Sequence, residues 1–188
     1  MTEPHIPEAD TRHDEWLVVR CQLGERAGFD ALIERWYDPI WKYARRVTGD
    51  EEAAADAAQD IWVRVLRGLG RLRDGSRLRP WLFSIARHVL MDRLRDQYGA
   101  PQTTDLDGAE TSATEVPDDR EDDLAAMEAE LGRLPVADRE VLTLFYLREL
   151  SLVQVAELLE VPVGTVKSRL FRARRALRRG LDIPGSLS

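Results

Sequence analysis

The sequence predicts an all-α protein: two small helical domains joined by a flexible acidic linker, the C-terminal domain a helix-turn-helix. Three observations predict it. Apolar residues recur at three- and four-residue steps, the period of a helix face, and no stretch alternates as a strand does. Residues 99–121 break that pattern with Gly, Pro, Ser, Thr and acids, a composition too poor in apolar side chains to fold alone. Residues 151–170 then hold two short helical patterns parted by a tight break at Glu160-Val161-Pro162.

The first domain spans 14–98. Trp16, Leu17 and Leu23 open a helical pattern, and Phe29, Leu32, Ile33, Trp36, Tyr37, Ile40, Trp41 and Ala44 continue one. Pro39 is expected to kink or interrupt it, because proline lacks the donor and crowds the preceding turn. Gly49-Asp50 ends that helix, and Asp50 can cap the next. That next helix, Glu51 to Leu69, carries Ala54, Ala57, Ala58, Ile61, Val65 and Leu69 on one side. Gly68, Gly70, Gly75 and Ser76 mark a loop. Pro80 suits the first turn of a further helix, Pro80 to Gln97. The second domain spans 122–181: Leu124, Met127 and Leu131 open it, Pro135 begins a helix, and the helix-turn-helix closes it.

Composition removes several function classes. The 188 residues include one cysteine, Cys21, so no internal disulfide and no cysteine metal cluster is expected. Cys21 falls in an apolar helix pattern, where packing is its expected role. His5, His13 and His88 lie far apart without ligand spacing. No Gly-rich phosphate loop, nucleophile–base pair or metal set appears. No catalytic residue, metal or cofactor is expected, and the protein is not expected to be an enzyme. The polar, acidic start does not resemble a signal peptide, and no apolar run approaches the roughly 20 residues of a membrane span. A soluble, cytoplasmic protein without membrane insertion is the expectation.

The net charge of −7 argues against nucleic acid until its distribution is seen. Ala100 to Glu130 holds eleven acids and one base, Arg120, so this segment alone carries −10 and the rest of the chain is net positive. Thr165 to Gly180 holds seven bases and no acid. A local cationic face is what a nucleic-acid reader needs, whatever the sum.

Ser151 can cap the first helix of the pair, with Gln154 completing a capping box. Pro162 and Val163 start the second, whose inner stripe is Val166, Leu170, Ala173 and Leu177. That stripe leaves Thr165, Lys167, Ser168, Arg169 and Arg172 near or on the outer face. Donors on the first half of such a helix reach base edges in the major groove, and flanking cations hold phosphates. A solvated basic surface helix is the plain alternative. Seven bases without an acid, directly after a small-residue helix pair, favour DNA.

Three blocks in order carry a family resemblance: Ala57 to Arg67 (AAQDIWVRVLR), Leu78 to Arg95 (LRPWLFSIARHVLMDRLR), and Leu134 to Leu142 (LPVADREVL) followed by the helix-turn-helix. Together they resemble the extracytoplasmic-function sigma factors of the sigma-70 family over roughly Phe29 to Leu181. The resemblance implies a bacterial RNA polymerase sigma factor. In such a protein the first block grips the clamp helices of core polymerase, the second melts and reads the −10 element, and the last domain reads −35. It places Asp56, Gln59, Asp60, Val63 and Arg64 at the polymerase. It places Arg71, Arg73, Arg77, Arg79, Trp81, Arg87 and His88 at the −10 loop and helix, with Arg93 and Arg95 as backbone contacts. It places Lys167, Ser168, Phe171 and Arg172 at −35. His88 stands where the family often has Asn. For Asp56 and Asp60 the plain alternative is a solvated helix face, Trp81 fits core or melted strand, and Phe171 fits core or DNA.

The resemblance further implies promoter DNA and polymerase core, its clamp helices and flap, as partners, and an anti-sigma factor as inhibitor. The acidic linker tethers the domains, or mimics nucleic acid in the polymerase channel. Two other functions fit less of the chain. A stand-alone helix-turn-helix regulator leaves the first 98 residues unexplained. A small helical enzyme acting on nucleic acid needs a constellation of acids or histidines that is missing.

Overall fold

The computed structural model describes residues 8–98 and 119–181, with side-chain surroundings for 10–96 and 126–181. The expected acidic linker lies outside the described residues over 99–118. Its last residues, Asp119 to Glu121, belong to a helix. Among the described residues there are helices and no strands, in the order α1 (Glu8–Gln22), α2 (Arg26–Thr48), α3 (Glu51–Gly68), α4 (Leu78–Tyr98), α5 (Asp119–Gly132), α6 (Val136–Leu142), α7 (Leu152–Leu159) and α8 (Val163–Gly180).

The first helix starts earlier than its apolar pattern. Its acids anchor it: buried Asp14 accepts hydrogen bonds from Arg35 Nε (2.8 Å) and Trp36 Nε1 (3.2 Å), and Asp10 accepts from Arg35 as well. Cys21 is buried on the same helix, and burial pushes its thiol pKa up.

The interruption expected at Pro39 does not occur, since α2 runs through it. One buried stripe, Leu32, Trp36, Ile40, Tyr43, Ala44 and Val47, holds both sides of the proline against the core. Burying each large apolar side chain contributes about 1.5–3 kcal/mol, which together outweighs the ~3 kcal/mol cost of an interior proline. The helix ends where Gly49 turns left-handed (φ +75°), a conformation open to glycine at little cost. Asp50 then accepts from the Ala53 amide at 2.7 Å, the cap its sequence position promised.

Buried Ala54, Ala57 and Ala58 let α3 pack closely against α2. Two 3₁₀ turns, Leu69–Arg71 and Gly75–Arg77, lead into α4. Gln22 ties this loop down by donating to the Leu69 and Leu72 carbonyls.

In the second half, Pro135 caps α6, and a single π turn follows at Thr143–Leu147, closed by the Arg148 amide on the Thr143 carbonyl (3.0 Å). Ser151 and Gln154 form the full capping box of α7, and Glu160 in the left-handed region (φ 56°) makes the break before α8. Ser151→Ala is expected to cost about 1 kcal/mol, read as a lowered thermal midpoint by circular dichroism.

The two halves share one buried core. Phe83 of α4 packs edge-on against Tyr43 (5.4 Å between centroids) and Trp36 (6.2 Å), and the same apolar cluster continues into Leu144, Phe145, Leu150 and Val155. At the seam, the fully buried Tyr43 hydroxyl donates to Glu140 of α6 at 2.8 Å. Arg87 of α4 pairs with the same carboxylate at 3.3 Å. Burial raises the pKa of Glu140, against the opposing pull of Arg87. Burial, then the carboxylate, pushes that of Tyr43 well up.

Candidate nucleic-acid interface

The helix-turn-helix is set by apolar contact. Val155, Ala156 and Leu159 of α7 are buried, as are Val166, Leu170 and Ala173 of α8. With that stripe facing inward, Lys167, Ser168, Phe171 and Arg172 are exposed, and Thr165 and Arg169 are half-buried. Phe171 is 61% exposed, so it belongs to the surface and not to the core. Ser168 Oγ donates to the Thr165 carbonyl (2.9 Å).

Arg172 is held in place. Its Nε and terminal nitrogen reach the two oxygens of Asp138 at 3.1 and 2.7 Å, and Asp138 is buried in the first turn of α6. A two-pronged charge-assisted pair fixes a guanidinium in orientation as well as position. Beside it, a cleft of about 570 Å³ opens between α6 and α8, bordered by Arg169, Arg172, Arg175 and Arg179.

The arginines expected at −10 divide into two groups. Arg71 and Arg73 are exposed in the loop between α3 and α4. Arg77, Arg79 and Arg87 each meet an acid of the second half: Glu157 (2.9 Å), Glu149 (2.9 Å) and Glu140 (3.3 Å). Arg79 is the most enclosed, its side chain 11% exposed and its guanidinium 5.3 Å from the Trp36 ring. Trp81 is neither core nor free. It is half-buried against Gly68 and borders a cleft of about 430 Å³ shared by Arg73, Arg77, Ser84, Gln154 and Glu157. His88 is exposed, with Nδ1 2.7 Å from the Ser84 carbonyl oxygen.

The residues expected at the polymerase share the outer side of α3. Asp56, Gln59, Asp60, Val63 and Arg64 are all exposed. Val63 and Leu66 add exposed apolar surface there. Two of the charged residues are also bound to α4: Arg93 donates to Asp60 (Nε at 3.1 Å), and Arg64 pairs with Asp92 at 3.4 Å. Arg95 pairs with Asp92 at 3.2 Å.

Sequence reasoning missed Tyr43, Asp138, Glu140, Glu149 and Glu157, the groups that hold the candidate readers. Asp138, Glu140 and Glu157 lay inside stretches already singled out, and nothing in the helical period gave them partners. At the same seam Arg148 lies 5.7 Å from the Phe83 ring, and burial, then Arg46, pushes its pKa down to about 10. Among the described residues no cluster of His, Cys, Asp and Glu is arranged to hold a metal. No described helix is long and apolar enough to cross a membrane.

A helical protein whose last helix shows a basic outer face behind a capped helix-turn-helix belongs to the DNA-binding class. Comparison with known proteins narrows it. The family described as Sigma-70 region 2 matches residues 32–99, and Sigma-70, region 4 matches 124–177. The ECF RNA polymerase sigma factor SigW of Bacillus subtilis (strain 168) is 30% identical over 176 residues, 87% of this chain and 94% of that protein. SigL of Mycobacterium tuberculosis (strain ATCC 25618 / H37Rv), another ECF RNA polymerase sigma factor, is 34% identical over 169 residues, 82% of this chain and 92% of that one. Among solved structures, CnrH in complex with the cytosolic domain of CnrY superposes with a TM-score of 0.64 at 25% identity, covering 92% of this chain and 99% of that one. The chain belongs to the extracytoplasmic-function RNA polymerase sigma factors of the sigma-70 family. Sigma factors are generally not enzymes.

Proposed function

We propose that this chain binds core polymerase through α3, captures unpaired −10 bases with the Arg71–Arg79 loop, Trp81, Arg87 and His88, and reads the −35 duplex with α8. The domain bounds are taken as 14–98, 99–121 and 122–181. The observation that carries the proposal is the coexistence of two separate exposed surfaces on one chain. Asp56, Gln59, Asp60, Val63 and Arg64 make one; Lys167, Ser168, Phe171 and Arg172, flanked by half-buried Thr165 and Arg169, make the other.

Each surface has chemistry suited to its task. On α8 a lysine, a clamped arginine and an exposed aromatic ring cover hydrogen bonding to base edges, phosphate contact and apolar contact with thymine methyls. At −10, captured bases cannot re-stack, and an aromatic or guanidinium platform contributes about 1–3 kcal/mol per base. The protein performs no bond chemistry of its own, works in the cytoplasm and takes a proteinaceous inhibitor, as CnrH is joined by the cytosolic domain of CnrY.

Co-purification with core polymerase tests the docking surface. The wild-type chain is expected to bind purified core. Val63→Glu, at an exposed position where folding is unaffected, is expected to weaken binding at least about tenfold, the loss of roughly 1.4 kcal/mol. A chain that binds −35 duplex but never core is the stand-alone regulator instead.

A further inference from the structure

The loop between α3 and α4, which carries cations assigned to the −10 strand, is tied down by α1, a helix that bears none of the residues assigned to DNA or polymerase. From this we infer that α1 is the positioning element of strand capture, and Gln22 its positioning residue. The inference rests on the −10 assignment above.

The first helix meets both 3₁₀ turns of the loop. At the first turn, the Gln22 side-chain amide donates to the Leu69 carbonyl (3.2 Å) and the Leu72 carbonyl (2.8 Å). Leu69 is buried, and Leu72 is half-buried against the core. The backbone at Leu72 is extended (φ −70°, ψ 106°), and along an extended chain successive side chains point to opposite sides. With Leu72 turned inward and its carbonyl held, Arg71 and Arg73 on either side of it are set outward, and both are exposed. At the second turn Gly75 lies against Glu15, where an added Cβ would stand 3.0 Å from the Glu15 Cα. Main chain meets main chain there, so the turn has little room to shift on α1. Asp74 closes this turn by accepting from the Ser76 amide (3.0 Å) and hydroxyl (2.6 Å).

This anchoring bears on capture because Leu72, Arg73 and Arg77 border the same cleft as Trp81. A captured base needs cation and ring at a set separation. A loop already ordered adds no ordering cost at the moment of binding. Releasing the Gln22 contacts therefore weakens capture and leaves the outer sides of α3 and α8 as they are.

The test uses the full chain bound to core polymerase. The probes are promoter fragments selected from a library by the wild-type complex, with 2-aminopurine in the −10 segment, whose fluorescence rises as the base unstacks. Gln22→Met keeps the side-chain length and the charge but removes the donor. Gly75→Ala drives a methyl against Glu15. Leu23→Ala, at an exposed position of α1, is the control. Gln22→Met and Gly75→Ala are each expected to lower the equilibrium constant for opening about tenfold, roughly 1.4 kcal/mol. The control is expected to match wild type, and core binding and −35 duplex binding to be unchanged in all three. Amide exchange over residues 69–77 is expected to quicken in the first two variants only. Opening at the wild-type level in Gln22→Met overturns the proposal. So does a loss of core and −35 binding in step with opening, because α1 is then a support of the whole fold. Arg71→Ala with Arg73→Ala separates the two claims. If that pair lowers opening and Gln22→Met adds little on top of it, positioning through the loop holds. If Gln22→Met costs as much on top of the pair as alone, the −10 assignment stands and positioning fails. If the pair leaves opening unchanged, or the wild type unstacks no base, the −10 assignment of the loop fails and positioning with it.

Discussion

Phe83→Ala is expected to lower the free energy of unfolding by about 3–5 kcal/mol, the cost of emptying a fully buried aromatic site. Three contacts put it at the top of that range. Its ring meets Tyr43 and Trp36 edge-on, and the Arg148 guanidinium lies 5.7 Å from it. Edge-on pairs add about 0.5–1.5 kcal/mol beyond area. The surroundings cannot close over the gap cheaply, because Tyr43 is tied to Glu140 and Trp36 to Asp14. In a chain of this length the thermal midpoint should fall by roughly 6–20 °C. Urea unfolding checks the energy, and Phe171→Ala is the contrast. That exposed ring should change stability by less than about 0.5 kcal/mol, while its loss is expected to weaken DNA binding under the proposed function.

Lys167→Ala combined with Arg172→Ala is expected to remove −35-dependent binding. Each base or phosphate contact of this kind is worth about 1–3 kcal/mol, so the pair amounts to a loss of thirtyfold or more by the ~1.4 kcal/mol-per-decade rule. The two residues should differ in character. Lys167 is an unconstrained ammonium on an exposed stem, suited to phosphate, so its loss should flatten the salt dependence by about one unit. Arg172 is oriented by Asp138, so its loss should relax discrimination at one base pair. Arg178→Ala with Arg179→Ala removes the same charge from the last turn of α8 and should cost less. Filter binding on a −35 duplex at two salt concentrations separates these outcomes.

Much of the fold was legible because it is written in local rules. Asp50, Gly49, Ser151 with Gln154, Pro135 and Pro162 each mark an end by chemistry confined to a few residues, and each stands at that end in the structure. Pro39 does not interrupt its helix for the same reason: its cost is local, while the burial that offsets it comes from elements packed along α2. The π turn at Thr143–Leu147 left no mark in the apolar period.

The candidate site was legible as residue types and not as partnerships. Lys167, Ser168 and Arg172 follow from the inner stripe of α8, whereas Phe171 sits beside that stripe and could be assigned only by packing. Arg172 and Asp138 are 34 residues apart, and Tyr43 and Glu140 are 97 apart. No periodicity links such positions. The acids that engage Arg77, Arg79 and Arg87 carry no mark of that role in sequence, because an acid's partner depends on how two domains meet.

Run-off transcription with purified core polymerase, with and without the chain, on a library of promoter fragments tests whether this protein gives polymerase its promoter choice. New discrete transcripts that require the chain, and that disappear with Lys167→Ala plus Arg172→Ala, are the predicted result. Transcripts indifferent to the chain, together with no binding to core, would contradict it.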